Sequence, residues 1–198
     1  MTAMNDELQK ALQDNGGILK TSDAMEICIS KDLFYRFIED AGLQKAAHGI
    51  YVSPNTLIDE MYLLQLQFPM AVFSHETALY LHDLAEMEPI PLTVSVPGKY
   101  NCPGLICKGV RIAYVKGEWH SIGLCQVPSP GGHMVNAYNM ERTICDIIRR
   151  RSEMDVAAFN YALTQYVKRR DKDLVRLSEY AQALHMEKRL WATMGVLL

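Results

Sequence analysis

Ser74-His75-Glu76 sets a hydroxyl, an imidazole and a carboxylate at consecutive positions, the groups of a nucleophile–base relay. Consecutive helix residues diverge by about 100°, so the three are not expected to work together. Ser74 reads instead as the N-cap of the helix that follows. His75 and His82 lie seven positions apart. Two helical turns put them on one face but about 10.5 Å apart, too far for one metal ion shared with Glu76 or Asp83. Cys102 and Cys107 enclose four residues, and Cys125 and His133 have seven residues between them. No second pair stands at ligand spacing, so a structural zinc site is not expected. Ser129-Pro130-Gly131-Gly132-His133 is a glycine-rich turn without the lysine and hydroxyl residue of a phosphate loop, and it reads as a surface loop. No pair of carboxylates stands in a context that supports nuclease chemistry. Catalytic residues, a metal and a cofactor are therefore not expected.

Two charged groups remain. Arg142 and Asp146 are spaced i,i+4 beside Glu141, close enough on a helix to pair. They read either as an ion pair that holds this helix against a sheet or as a polar functional site. Arg149-Arg150-Arg151 and Lys168-Arg169-Arg170, with Lys172 and Arg176, form two basic clusters, and residues 142–189 hold 11 basic and 7 acidic residues. Cations at helix C-termini are favourable in any case. The clusters read either as solvated helix ends or as a second nucleic-acid surface.

The elements that would position these groups follow from periodicity. Met4 to Asn15 predicts an amphipathic helix with Leu8, Ala11 and Leu12 on one face, stopped by Gly16-Gly17. Ser22 is expected to cap a second helix with Met25 and Ile29 inward, and Ser30 a third, in which Leu33, Phe34, Phe37 and Ile38 share a buried face. That leaves Lys31, Asp32, Tyr35, Arg36 and Glu39 outside. Gly42 ends the third helix, and Leu43 to Ser53 reads as a hairpin with Gly49 at its turn and alternating, half-buried positions after it. Three short helices followed by a hairpin is the order of a winged helix-turn-helix, a DNA-reading module. Lys31, Tyr35 and Arg36 are then expected toward the major groove. Arg36 can contact guanine and Tyr35 can donate to phosphate, while Lys45 and His48 on the wing lie near backbone phosphates. Residues 1–53 hold 5 basic and 8 acidic residues.

Pro54 marks a boundary, giving two domains, 1–53 and 54–198. The second reads as helices at 59–68 and 74–84, strands at 92–96, 110–115, 122–127 and 134–138, then helices at 139–151, 154–170 and 173–190. Ile144, Ile147 and Ile148 face inward on one of these, and Phe159, Ala162, Leu163 and Tyr166 on the next. The fold class is α+β: a winged helix-turn-helix, then a domain with a small sheet and C-terminal helices. A net charge of −3 with 49% apolar and 22% charged residues fits a globular chain and excludes a bulk polycation. No apolar run approaches a membrane span, the N-terminus lacks a secretory pattern, and the five scattered cysteines read as reduced thiols of a cytoplasmic protein.

Four segments together resemble a known family: His48-Gly49-Ile50-Tyr51-Val52 closing the wing, 73–84 (FSHETALYLHDL), 92–97 (LTVSVP) and 139–146 (NMERTICD). In order and spacing they are similar to the AbiEi family of abortive-infection antitoxins, over nearly the whole chain. The resemblance implies the antitoxin of a type IV toxin–antitoxin system, encoded with an AbiEii toxin that resembles nucleotidyltransferases. It implies autorepression through inverted repeats of the protein's own promoter. It also implies that the C-terminal domain counteracts the toxin without a stable complex, and it brings no catalytic motif that these residues match; with no apolar run of membrane-spanning length, no membrane is expected as a partner. In that setting Glu141, Arg142 and Asp146 are candidates for a polar site of the antitoxin domain. Two other classes compete: a protein-interaction adaptor built on the winged helix, and a nucleic-acid-processing enzyme that uses it for targeting.

Overall fold

The structure is a computed structural model that describes residues 2–54, 56–195 and 197. The chain forms two compact units, Met1–Glu60 and Met61–Leu198. The boundary lies later than Pro54 because the segment after it still belongs to the first unit. Ser53 N–H donates to the Gly17 carbonyl at 2.9 Å, and Thr56 N–H to the Ser53 carbonyl at 3.0 Å.

The first unit runs α1 (Thr2–Asp14), β1 (Ile18–Lys20), α2 (Thr21–Glu26), α3 (Lys31–Asp40), β2 (Gln44–Ala47) and β3 (Ile50–Val52). The strands form an antiparallel sheet in the order β1-β3-β2, the connectivity of a winged helix. Its core gathers Leu8, Leu12, Leu19, Ala24, Phe34, Phe37, Ile38 and Tyr51. Ser30 caps α3 as expected, its hydroxyl accepting from Leu33 N–H at 3.3 Å. Two expectations for α2 fail. The helix starts at Thr21, with Lys20 at the cap position and no side-chain cap bond, and Ser22 donates to Asp23 instead. Met25 is exposed and Ala24 fills the core in its place. The alternation expected for β3 also fails, since Ile50, Tyr51 and Val52 are all buried. A strand paired on both sides has no solvent edge, and both its faces are covered.

The second unit is a five-stranded mixed sheet with helices. Its strands are β4 (Val72–Phe73), β5 (Thr93–Pro97), β6 (Arg111–Val115), β7 (Leu124–Pro128) and β8 (Met134–Tyr138), ordered β6-β5-β4-β8-β7. Pairs β4–β8 and β5–β6 are parallel, and pairs β4–β5 and β7–β8 are antiparallel. The helices are α4 (Glu60–Gln67), α5 (His75–Leu81), α6 (Pro103–Cys107), α7 (Gly117–His120), α8 (Met140–Arg149), α9 (Val156–Lys168), α10 (Leu174–Ala183) and α11 (Glu187–Met194). One core packs α5 with the four C-terminal helices, through Leu79, Ile144, Ile147, Leu163 and Tyr166. The other packs α4 and α6 on the sheet, through Met61, Leu64, Leu105, Phe73, Val94 and Val96. The single helix expected over 173–190 is two. The chain turns at Leu184-His185-Met186, where His185 takes a φ of 55° and Met186 N–H closes on the Ala181 carbonyl at 2.8 Å, the αL turn that ends a helix.

Candidate functional site

The exposed side of α3 carries Lys31, Asp32, Tyr35, Arg36, Glu39 and Asp40. Phe34, Phe37 and Ile38 on the opposite side anchor it. Tyr35 does more than the sequence suggests. Its ring meets Tyr51 of β3 edge-on at 6.4 Å and Phe34 at 5.5 Å, and Phe34 in turn meets Tyr51 at 5.7 Å. Such edge-to-face pairs contribute roughly 0.5–1.5 kcal/mol beyond area burial. Burial first, and then the bond to Tyr35, raises the Tyr51 phenol above its ordinary value. Lys45 stands directly opposite Tyr51 in the β2–β3 register, and directly opposed residues share a sheet face. Lys45 therefore lies on the face that packs α3. His48 is exposed at the two-residue turn, and Gly49 supplies the positive φ of 70° beside it. Lys31, Tyr35 and Arg36 thus share the exposed side of α3 with the acids Asp32, Glu39 and Asp40, and Lys45 is linked to them through Tyr51, which it opposes and Tyr35 touches.

The residues of the two basic clusters are mostly held by contacts within the fold. Arg149 donates to the Leu184 carbonyl and lies over the Trp119 ring at 4.8 Å. Arg151 covers Phe159 at 4.2 Å, Arg150 pairs with Glu153 at 3.3 Å, and Arg169 grips Asp171 with two bonds of 2.8 Å. Lys168 and Arg170 are exposed, and the other four of the six are partly buried. The cluster mainly pins helix ends, because a guanidinium on an aromatic face or in a bidentate pair is held in place.

Glu141, Arg142 and Asp146 are 2%, 1% and 5% exposed, and the i,i+4 pair of Arg142 with Asp146 forms inside the fold. Arg142 Nε donates to both Asp146 oxygens at 3.1 and 3.0 Å, and its Nη1 to the carbonyls of Trp119 and Ile122 at 2.6 and 3.0 Å. Its guanidinium lies 4.2 Å from the Tyr138 ring centre, and burial pushes that phenol up to about 12. Glu141 accepts from Tyr166 at 3.4 Å and from Asp173 N–H at 3.1 Å. These bonds tie α8 to the end of α7 and the turn after it, to α9 and to the start of α10. Gly123 makes room for them: a Cβ there would stand 2.4 Å from Arg142 Cβ, at a φ of +77°.

Ser74 and His75 depart furthest from expectation. Ser74 occupies the cap position of α5 with extended backbone, but its hydroxyl makes no cap bond. It turns inward, accepting from Ser95 at 2.9 Å and meeting His75 Nδ1 at 3.0 Å. His75 reaches back because its φ is +50°, which a helical residue would not adopt. Consecutive positions therefore do meet here, against the helix-geometry argument. Burial pulls the His75 pKa below its ordinary value. His82, which donates to the Tyr138 carbonyl at 2.8 Å, and His120, which donates to the Met70 carbonyl at 2.9 Å, are shifted the same way and for the same first cause.

No protein-family model and no curated protein matches this chain. Its fold is similar to that of the RV2827C protein from Mycobacterium tuberculosis in a crystal structure, with a TM-score of 0.57 and 13% identity over 95% of this chain and 77% of that one. The likeness establishes a mixed α+β architecture. No helix among the described residues is long and apolar enough to cross a membrane, and among the same residues no group of three or more His, Cys, Asp or Glu could hold a metal ion.

The sequence reading missed Thr93 and Ser95. Thr93-Val94-Ser95-Val96 alternates as a strand with one face in water would, yet all four residues are buried. Val94 and Val96 join the core beneath α4 and α6, while Ser95 joins the buried hydroxyl–imidazole chain of Ser74 and His75. The signal was present in the residue types, because hydroxyls on a strand beside a Ser-His pair offer each other partners.

Proposed function

We propose that this chain is an autorepressing antitoxin of the abortive-infection type, a non-enzymatic cytoplasmic DNA-binding repressor that counteracts a nucleotidyltransferase-like toxin. The observation that carries the DNA half is the contact of Tyr35 with Tyr51, which joins the third helix to the strand whose Tyr51 stands opposite Lys45 of the wing. In this reading α3 enters the major groove of an inverted repeat in the protein's own promoter, Arg36 reads a guanine, and Lys31, Lys45 and His48 engage phosphates. The second unit acts against the toxin without a lasting complex. The four family-like segments support that half: two of them, 73–84 and 139–146, include the starts of the packed helices α5 and α8 and build the buried polar network.

The test is a fluorescence-anisotropy titration on the upstream promoter fragment at two salt concentrations. Arg36→Ala should cost about 1–3 kcal/mol on the specific site, and Lys45→Ala should lower the salt slope by about 1 with a similar loss on all sequences. Binding without sequence preference, or none at either salt, would refute the repressor. The ten acidic against five basic residues of 1–60 favour a second reading, in which the winged helix contacts a protein; salt-independent capture of a protein partner would then replace DNA binding.

A further inference from the structure

The five-stranded sheet has two edges, and they are built differently. β6 pairs with β5 alone. Arg111 N–H donates to the Leu92 carbonyl, and the Val115 carbonyl accepts from Gly98 N–H, both at 2.8 Å. Backbone groups alternate in direction along a strand, so Arg111, Ala113 and Val115 turn theirs toward β5. Ile112 and Tyr114 turn theirs outward, and among the described residues no strand or loop pairs with them across that edge. The opposite edge, β7, is blunted. Asn139 N–H donates to the Gly123 carbonyl and Ser129 N–H to the His133 carbonyl, both at 2.8 Å, so Leu124, Gln126 and Pro128 face out. Leu124 N–H is taken by the Ser121 carbonyl at 3.3 Å, and proline has no N–H to give. An unpaired edge is a template for another strand, and β6 keeps both its outward donors where β7 keeps only that of Gln126.

The surroundings of the β6 edge are basic. Residues 89–117 hold Lys99, Lys108, Arg111 and Lys116 and no acidic residue, in a chain whose net charge is −3. Lys99, Lys108 and Lys116 are exposed. Arg111 pairs with Glu76 at 3.1 Å, and Lys116 Nζ lies 4.7 Å from the centre of the Trp119 ring. At the carboxyl ends of β5 and β6 a groove of about 570 Å³ opens between the turns 97–99 and 115–118, the end of a parallel pair where ligands bind. Glu118 is the single acid lining it, against Lys99 and Lys116. Along the strand, Ile112 packs on the core that holds α6, and Tyr114, two positions on, shares that face. Tyr114 is 53% exposed, so its ring offers apolar surface to the side chains of an added strand.

We infer that β6 takes up an extended acidic peptide segment of another protein as a sixth strand of the sheet, with an acidic residue of that segment seated between Lys99 and Lys116 in the groove. Main-chain bonds to Ile112 and Tyr114 supply the affinity, and the lysines supply the selectivity. A second copy of this chain is a poor occupant, because two β6 edges would bring the cations of each against those of the other. A nucleic-acid strand suits the lysines, but its phosphates only accept, which leaves the outward carbonyls of Ile112 and Tyr114 without donors. The inference does not depend on promoter recognition, which lies in the other unit.

The test titrates the full chain into a fluorescein-labelled, amidated heptapeptide of alternating glutamate and valine and follows anisotropy. Saturable binding is expected, with the lysine–valine counterpart weaker by about tenfold or more. The glutamate–valine peptide N-methylated at every residue has no ladder donors and should also lose about tenfold or more. Lys99→Glu combined with Lys116→Glu should weaken binding by a similar factor, and Lys188→Glu on α11 should leave it unchanged. Tyr114→Pro removes an outward N–H and no bond to β5, so it should weaken binding too; if it unfolds the chain, the N-methylated peptide still reads the same bonds on the unaltered protein. No saturable binding, equal binding of the N-methylated peptide, or equal binding of the lysine–valine peptide would overturn the site. A labelled dodecathymidylate that binds through Lys99 and Lys116 and displaces both glutamate–valine peptides alike would make this face a nucleic-acid surface instead. Promoter binding measured on the same variants, expected unchanged, keeps this result separate from the repressor reading.

Discussion

Arg142 is the largest side chain buried beyond 98%, and everything around it is arranged to keep its charge satisfied. Asp146 supplies the counter-charge, two carbonyls take Nη1 and the Tyr138 ring covers the plane. A buried pair of this kind adds little net stability compared with apolar groups of the same volume, but losing one partner strands the other. Arg142→Ala should therefore destabilise by about 3–5 kcal/mol, and the paired change Arg142→Met with Asp146→Leu by much less. Urea unfolding of the three proteins checks this, and equal losses in single and double variants would mean that packing and not charge decides. Arg142→Lys is not a conservative change here, because an ammonium cannot hold the two Asp146 oxygens and two carbonyls in one plane. Part of this was readable in advance: the i,i+4 spacing gave the pair. Its burial was not readable, because it depends on the end of α7 and the turn after it meeting α8 from some twenty residues earlier in the chain.

The elements show what a periodic pattern can and cannot carry. The third helix, with its Ser30 cap and its apolar face, was legible because ten residues give the pattern nearly three turns. β5 was legible from alternation, and β6, β7 and β8 lie within two residues of the strands expected at 110–115, 122–127 and 134–138. β4 was not, although it is the central strand of the five, because Val72-Phe73 is too short to show a period. β1 with three residues and the short helices α6 and α7 escaped for the same reason. The Ser74–His75 contact escaped because a helical φ was assumed where the chain takes +50°. α2 ends in a comparable feature. Cys28 sits at φ 58°, with Ile29 N–H closing on the Ala24 carbonyl at 2.9 Å, the αL turn that glycine favours. A non-glycine residue in that region costs about 1–2 kcal/mol, and Cys28 is exposed, so little packing is lost on replacing it. Cys28→Gly should raise the stability of the first unit by up to about 1 kcal/mol, after glycine's greater freedom in the unfolded chain is allowed for. A lowered melting temperature would show that the Cys28 side chain contributes contacts that its exposure does not suggest.

Charge and titration are unevenly shared over the whole molecule. Residues 1–60 hold ten acidic and five basic side chains, leaving thirteen and fifteen beyond them. The histidines held neutral by burial, His75, His82 and His120, all belong to Met61–Leu198. Each has a folded pKa below that of the unfolded chain, near 6.5. The unfolded state therefore binds protons first as pH falls. The stability these groups contribute is complete above about pH 6.5 and is lost as pH drops through their folded values. The exposed carboxylates Asp155 and Asp171 are also lowered, but they act only below the ordinary carboxylate range, so the interval from about pH 7.5 to 5.5 isolates the histidines. Amide exchange, corrected for intrinsic rates, should show α8 and β5 losing protection over that interval while amides of α3 change less. His82→Gln, whose amide can still donate to the Tyr138 carbonyl, should remove part of the loss. Uniform protection at both pH values would mean that the buried imidazoles protonate in place, with their hydrogen bonds to the Tyr138 and Met70 carbonyls compensating the cost of burial. Loss confined to the second unit would make mild acid a means of loosening the proposed antitoxin domain while the proposed DNA reader stays folded.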